Sequence, residues 1–319
     1  MNRQPTAIRS WLGDWVRLWD RFWFSPRRPE TVSLMRILLG SVLVYTHWVW
    51  TLELEVFLAR DGVFRSEYSA AIHGGQPWAW SHFNWSDSPL WLWGSHFAGL
   101  AIMTAFLLGL WTRLTSILTV LLVISYAHRA SGALFGLDQI NGFLALYLAL
   151  TPCGACYSVD AWLRNRRAGP GGGTSIRATV MTNLGTRLIQ LHLCLVYLFA
   201  GLGKLQGPAW WEGTAMWGAV ASLEYQTVDL TFLAAWPWVI NALTLSTLAW
   251  ECSYPFLIWP RLTRPLWLGM AVLVHTGIGL CMGMITFGLI MIIANLSFVE
   301  PAWVRRLAGC HPLSPPDSG

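Results

Sequence analysis

Lys204 is the only lysine among the 21 basic residues of this chain, and it is the side chain best suited to act as a base. An ammonium held against apolar walls is poorly solvated, which favours the neutral amine. A guanidinium stays charged at any relevant pH and cannot serve in that way. Lys204 closes the stretch Tyr197-Leu-Phe-Ala-Gly-Leu-Gly-Lys204 at the end of a long apolar run. Gln190, Tyr197 and Lys204 recur at intervals of seven and share one helix face, with Gly201 one turn below Lys204. Gly201 and Gly203 leave room for a ligand or a neighbouring helix. The structural alternative is that Lys204 only reaches from an apolar stem to the membrane interface.

Glu251 and His275 lie inside two later apolar runs. Ionisable groups at such positions need partners and mark functional sites by default. Either they join Lys204 in a proton or substrate site, or they make hydrogen bonds between helices, with Arg36 as a candidate partner. Arg36 itself, near the start of the first apolar run, reads as a structural or lipid-headgroup contact. Cys153-Gly-Ala-Cys156 has redox or half-zinc spacing, but no second pair completes four ligands. His47, His73, His82, His96 and His128 lack metal-ligand spacing and read as interfacial, so no metal site is expected. There is no phosphate-binding loop, dinucleotide fingerprint or Ser/His/Asp constellation.

The elements that must position these groups are membrane helices. The chain is 55% hydrophobic and only 12% charged, with mean hydropathy +0.46, too little charge to coat a soluble globule of 319 residues. The apolar runs are continuous rather than alternating, which favours spanning helices over barrel strands. The fold class is therefore an all-α integral membrane bundle of about eight helices preceded by an N-terminal interfacial amphipathic helix. Residues 1–30 form the interfacial segment. Within it, Trp11, Leu12, Trp15, Val16, Leu18, Trp19, Phe22 and Trp23 share one arc, opposite Arg9, Asp14, Arg17, Asp20 and Arg21. Residues 31–307 form the transmembrane domain, with spans near 32–52, 90–111, 113–128, 134–152, 186–206, 231–259, 265–283 and 285–300. A flexible Gly-Pro-Gly-Gly-Gly stretch occupies 169–173, and residues 308–319 read as a disordered tail.

The 22 tryptophans fit interfacial anchoring, and the basic balance of +5 does not suggest nucleic acid, because the arginines cluster in loops. Three of the six cysteines fall within predicted helices, so a secreted disulfide framework is not expected. No cleavable signal peptide is evident before Val32.

The stretch Tyr197 to Leu205, followed by Trp211-Glu212-Gly213, resembles the membrane domain of the vitamin-K-dependent γ-carboxylases, part of the wider HTTM (horizontally transferred transmembrane) family. Leu34-Met-Arg36-Ile-Leu-Leu-Gly40, Leu108-Gly-Leu-Trp-Thr-Arg113 and Tyr157-Ser-Val-Asp160 resemble further family segments in order. Glu251, His275, Phe287 and Phe298-Val-Glu-Pro301-Ala-Trp303 do the same, so the likeness covers about residues 10–307. The resemblance implies that Lys204 is the base that starts oxygenation of a reduced quinone, with His275 and Glu251 in support. Tyr197, Gly201 and Trp211 would then bind the quinone. It also implies a vitamin K-like quinol, O2 and CO2 as co-substrates, although nothing in the sequence itself requires a cofactor. The partners so implied are the lipid bilayer and a small isoprenoid quinone or lipid, with no protein partner indicated.

Two departures narrow that likeness. The carboxylases carry an Asn-Asn-His before the fourth span, where this chain has Gly136-Leu137-Asp138, so Asp138 is the nearest polar substitute. They also continue into a large lumenal domain, whereas this sequence stops at Gly319, so propeptide-directed carboxylation is not expected. The leading expectation is quinone-linked oxygenase or carboxylase-like chemistry. A non-enzymatic isoprenoid or lipid binder and a transporter are the alternatives.

Charge sets the orientation. With the N-terminus inside, sixteen arginines fall in cytoplasmic segments, while Arg60, Arg65, Arg129 and Lys204 fall outside. This bias predicts eight crossings with both termini cytoplasmic, in an inner membrane if the source is bacterial. In a background without native cysteines, a membrane-impermeant thiol reagent should reach Gly75→Cys from outside and Ser175→Cys only from the cytoplasm. Labelling of both from one side contradicts the map.

Overall fold

The computed structural model describes residues 4–72, 74, 76, 78–169 and 176–308. Gly75, the glycine-rich stretch 170–175 (including Ser175), His73 and residues 309–319 of the expected tail lie outside them. The described residues are helical, with no strand beyond an isolated bridge between Arg27 and Thr179. The long helices are α1 (Gln4–Phe24), α2 (Glu30–Thr51), α3 (Pro89–Leu108), α4 (Thr112–Arg129) and α5 (Gly136–Ala149). A short α6 (Val159–Ala168) precedes α7 (Val180–Lys204) and α8 (Pro208–Trp211). Then come α9 (Pro237–Leu257), α10 (Arg264–Cys281), α11 (Ile285–Asn295) and α12 (Pro301–Leu307).

Four helices, α2, α3, α7 and α10, are long and apolar enough to cross a membrane. A fifth crossing arises if the bent pair Ile285–Phe298 and Pro301–Leu307, turned by 115°, counts as one. The expected eight is thus matched only in part: α4 and α9 reach the length with weaker apolar character, and α5 and α11 are shorter. Boundaries moved where polar residues face protein. The helix α7 starts at Val180 rather than 186, because the Thr179 hydroxyl accepts from Thr182 N at 3.2 Å and Thr182, Asn183 and Thr186 are buried. The helix α9 starts at Pro237 rather than 231, since proline suits a first helical position.

The apolar face of α1 is open. Trp11, Leu12, Trp15, Val16, Leu18 and Trp19 are each more than half exposed, while Asn183 Nδ2 on α7 donates to the carbonyls of Phe22 and Trp23 at 2.7 and 2.9 Å. The hydrogen bonds that tie the helix to the bundle among the described side chains are at its C-terminus.

Arg36 organises the arginine-rich end. Its fully buried guanidinium donates to the carbonyls of Phe106 (2.7 Å), Leu107 (2.5 Å), Cys153 (3.1 Å) and Tyr157 (2.7 Å). These are the open carbonyls at the C-terminus of α3 and in the turn after α5, groups that no helix can satisfy alone. Gly109 ends α3 with φ +70, and a Cβ there would lie 2.4 Å from Ser158 Cβ and 2.9 Å from Arg36, so only glycine fits. Beside it, Asp160 accepts from the backbone N–H groups of Trp111 (2.9 Å) and Thr112 (2.7 Å) and from the Thr112 hydroxyl (2.7 Å), capping α4.

Partial burial works against the Asp160 charge, but the hydrogen bonds from Thr112 and Trp111 outweigh it and hold its carboxyl below the ordinary value. A depressed carboxylate stabilises the fold fully above its unfolded value of about 3.9 and loses that contribution as pH falls through its folded value. In detergent, Asp160→Asn should lower the unfolding temperature at neutral pH and flatten its decline on acidification below about pH 4. An unchanged acid limb contradicts this capping role.

Candidate functional site

Lys204 ends α7 and Glu251 lies in the second half of α9, two helices packed along much of their length. The Lys204 Nζ donates to Glu251 Oε1 at 3.0 Å and lies 2.7 Å from Oε2, which sits outside hydrogen-bond geometry. Arg36 is not the partner of Glu251. The close approach that allows the pair is made at Gly201, where a Cβ would meet Cys252 Sγ at 2.8 Å and its backbone N at 3.1 Å. Of the two roles open to Gly201, the neighbouring helix occupies its space, whereas Gly203 has nothing within 4 Å. Trp210, on α8, lies beneath the ammonium at 5.3 Å from ring centroid to Nζ, a cation–π contact. Trp211 instead donates to Leu205 O at 2.7 Å and is 64% exposed.

Two turns from Lys204 along α7, and one turn from Glu251 along α9, stands a buried polar chain. Tyr254 donates to Asn295 Oδ1 (2.6 Å), Asn295 Nδ2 donates to the Tyr197 hydroxyl (3.0 Å), and Tyr197 meets His275 Nε2 (2.7 Å). All four residues are at most 4% exposed. Because Tyr197 already accepts from Asn295, its own proton is free for His275 Nε2, which leaves the proton of that imidazole on Nδ1. His275 Nδ1 is buried and has no hydrogen-bond partner. Trp250 packs edge-on against Tyr197 at 4.8 Å, and its neighbour in sequence is Glu251. A lysine paired with a carboxylate thus shares its helices with a buried chain that ends in an unpartnered imidazole nitrogen.

Asp138 lies elsewhere. Its carboxylate accepts from Phe135 N at 3.1 Å and caps α5. The histidines read as interfacial need correction. His47, His82 and His96 are buried around Tyr126, with His96 Nδ1 2.6 Å from its hydroxyl and His82 Nδ1 2.6 Å from Ser125 Oγ. The segment 81–85 folds over that end of the bundle, which spacing along the chain could not show. His128 Nδ1 meets the Trp80 carbonyl at 3.0 Å. Among the described residues no group of three His, Cys, Asp or Glu could hold a metal. Cys153 and Cys156 are free and buried, and burial pushes both thiols up to about 11, so neither is a ready thiolate.

Asn295, Tyr254, Trp250 and Trp210 were not singled out by sequence. A lone amide in the apolar stretch Ile292-Ile-Ala-Asn295 was the available signal for the first.

Helices with this apolar character, enclosing a charge pair and a buried hydroxyl–imidazole chain, define an α-helical membrane protein. The model of the HTTM domain matches residues 83–303, well over half of the chain, which therefore belongs to the HTTM domain family. The match contains Lys204, Glu251, His275 and Asn295. No curated protein and no solved structure matches the chain.

The polar chain is testable by truncating its members. Tyr197→Phe leaves both His275 and Asn295 short of a partner and should cost about 2–4 kcal/mol of stability. Tyr254→Phe leaves one acceptor short and should cost about 1–2 kcal/mol. Equal effects of both in thermal unfolding in detergent contradict the linked arrangement.

Proposed function

We propose that Lys204 and Glu251 form the proton-accepting pair of a membrane oxidoreductase acting on a reduced quinone. The observation that carries this reading is the approach of Nζ to both carboxylate oxygens, at 3.0 and 2.7 Å, with α7 also carrying Tyr197 in its buried contact with His275. Once a bound quinol excludes water, a proton would pass from Lys204 to Glu251, leaving the neutral amine to take the proton of a phenolic hydroxyl. O2 and CO2 enter as co-substrates through the family's likeness to the γ-carboxylases: O2 would oxidise the deprotonated quinol, and CO2 would add to a carbanion formed on a separate substrate.

The same reading takes α2, α3, α4, α5, α7, α9, α10 and α11 as eight crossings, with both termini cytoplasmic and the Lys204 end outside. The arginine bias supports that orientation, and so does the collection of Arg27, Arg36, Arg113, Arg164, Arg187, Arg264 and Arg305 at ends of helices away from Lys204.

A second reading, a non-enzymatic lipid-binding protein, is favoured by the fact that Glu251 already neutralises Lys204. Replacement separates the two. Arginine can keep the ion pair but cannot lose its proton. Lys204→Arg should therefore abolish quinol oxidation as fully as Lys204→Ala, with helicity and membrane insertion retained. Full activity of Lys204→Arg contradicts the base role and leaves the ion pair as an anchor.

A further inference from the structure

The face of α7 turned away from the Lys204 site carries a polar pair that nothing above uses. His192 lies twelve residues from either end of α7, between Val180 and Lys204, or about 18 Å from each at 1.5 Å per residue. Its ring stacks on Phe143 of α5 with centroids 4.2 Å apart, and its Nδ1 meets the Tyr147 hydroxyl at 3.1 Å. His192 and Tyr147 line a groove of about 600 Å³ between α5 and α7, walled by Leu188, Leu191, Leu195 and Phe199, with Gln139 at its rim. His192 and Tyr147 are half-buried there.

Whichever tautomer His192 adopts, the Tyr147 contact uses only Nδ1. Nε2 makes no hydrogen bond and is not an enclosed atom, so it opens to the groove. Hydrocarbon offers it nothing, and polar groups facing lipid must be satisfied by some partner. The headgroups of ordinary phospholipids lie about 15 Å from the midplane and do not reach this depth.

We propose that the groove between α5 and α7 binds a neutral lipid carrying one hydroxyl or carbonyl group, of the kind that dissolves within the hydrocarbon core. The polar group bonds to His192 Nε2, as donor or acceptor according to tautomer, and the apolar body lies along Leu188, Leu191, Leu195 and Phe199. His192 is turned about 120° around α7 from Lys204 at 100° per residue. The site is thus separate from the charge pair, and its occupancy does not depend on turnover there.

The test uses the full chain in nanodiscs with three photoreactive probes: a diazirine-bearing hexadecanol, the matching diazirine-bearing hexadecane, and a phosphatidylcholine with the diazirine in its acyl chain. The alcohol should label the α5 and α7 segments around Tyr147 and His192, and unlabelled hexadecanol should suppress that labelling while hexadecane does not. His192→Phe keeps the stack on Phe143 and should reduce alcohol labelling about fivefold, the effect of one lost hydrogen bond. Phosphatidylcholine labelling of the same variant should not change, which also reports that the groove remains folded. Equal labelling by all three probes, or alcohol labelling unaffected by His192→Phe, overturns the proposal and makes the groove a plain lipid-facing wall. Crosslinks joining two copies of the chain at these segments also overturn it, in favour of a helix of a second copy as the occupant.

Discussion

Inside a bilayer a charge must be met by the protein itself, and the Lys204–Glu251 pair is where that constraint bears most heavily on this chain. Both groups come from helices that pack closely enough for a carboxylate to reach an ammonium, and Gly201 against Cys252 is what permits the approach. An unpaired carboxylate at Glu251, 8% exposed, would be costly; paired, it becomes part of the contact between α7 and α9. The Tyr197, Asn295 and Tyr254 chain then extends the polar contact to α11, with His275 bringing in α10. Four helices are thereby held in one register by hydrogen bonds, where apolar packing against lipid would distinguish registers poorly.

The opposite end of the bundle meets the same constraint with a different device. Arg36 gathers four carbonyls and makes no direct contact with a carboxylate, so its charge is met by the carbonyl dipoles at the C-terminus of α3 and in the turn after α5, with Asp160 nearby. This arrangement suits a fixed joint, because the guanidinium keeps its proton and its planar fork holds α3 and the turn after α5 in place. A lysine beside a glutamate is a different object: both partners can exchange a proton. That contrast explains why one basic group reads as architecture and the other as chemistry.

Much of this was legible in the sequence. The sole lysine, Tyr197 seven residues before it, and the isolated Glu251 and His275 all fall in or beside the site, because an ionisable residue in an apolar run has few ways to be tolerated, whereas Gln190, on the same face, bonds to the Ser297 carbonyl and Arg187 instead. What could not be read was which partner each would find. The tandem Trp210-Trp211 gave no means of telling which ring turns under Lys204, since that depends on the tight turn at Gly207-Pro208. The histidine cluster around Tyr126 was hidden because His47 and His96 meet through the packing of α2 on α3, and His82 joins them from a segment that folds back, none of which spacing shows. His192 passed unnoticed beside the Tyr197 face, and its significance comes only from Tyr147 on another helix. Helix ends drifted where threonine and asparagine are buried against protein, a context hydropathy cannot distinguish from exposure.

Lys204 and Glu251 must act as one unit, and a double-mutant cycle on thermal stability in detergent tests that most directly. Lys204→Met and Glu251→Gln should each destabilise by leaving the other partner unmatched. The double variant should recover part of the loss, with a coupling of about 1–3 kcal/mol. Effects that add to within about 0.5 kcal/mol would mean that the two groups do not sense each other, and the pair at the centre of this site would be contradicted.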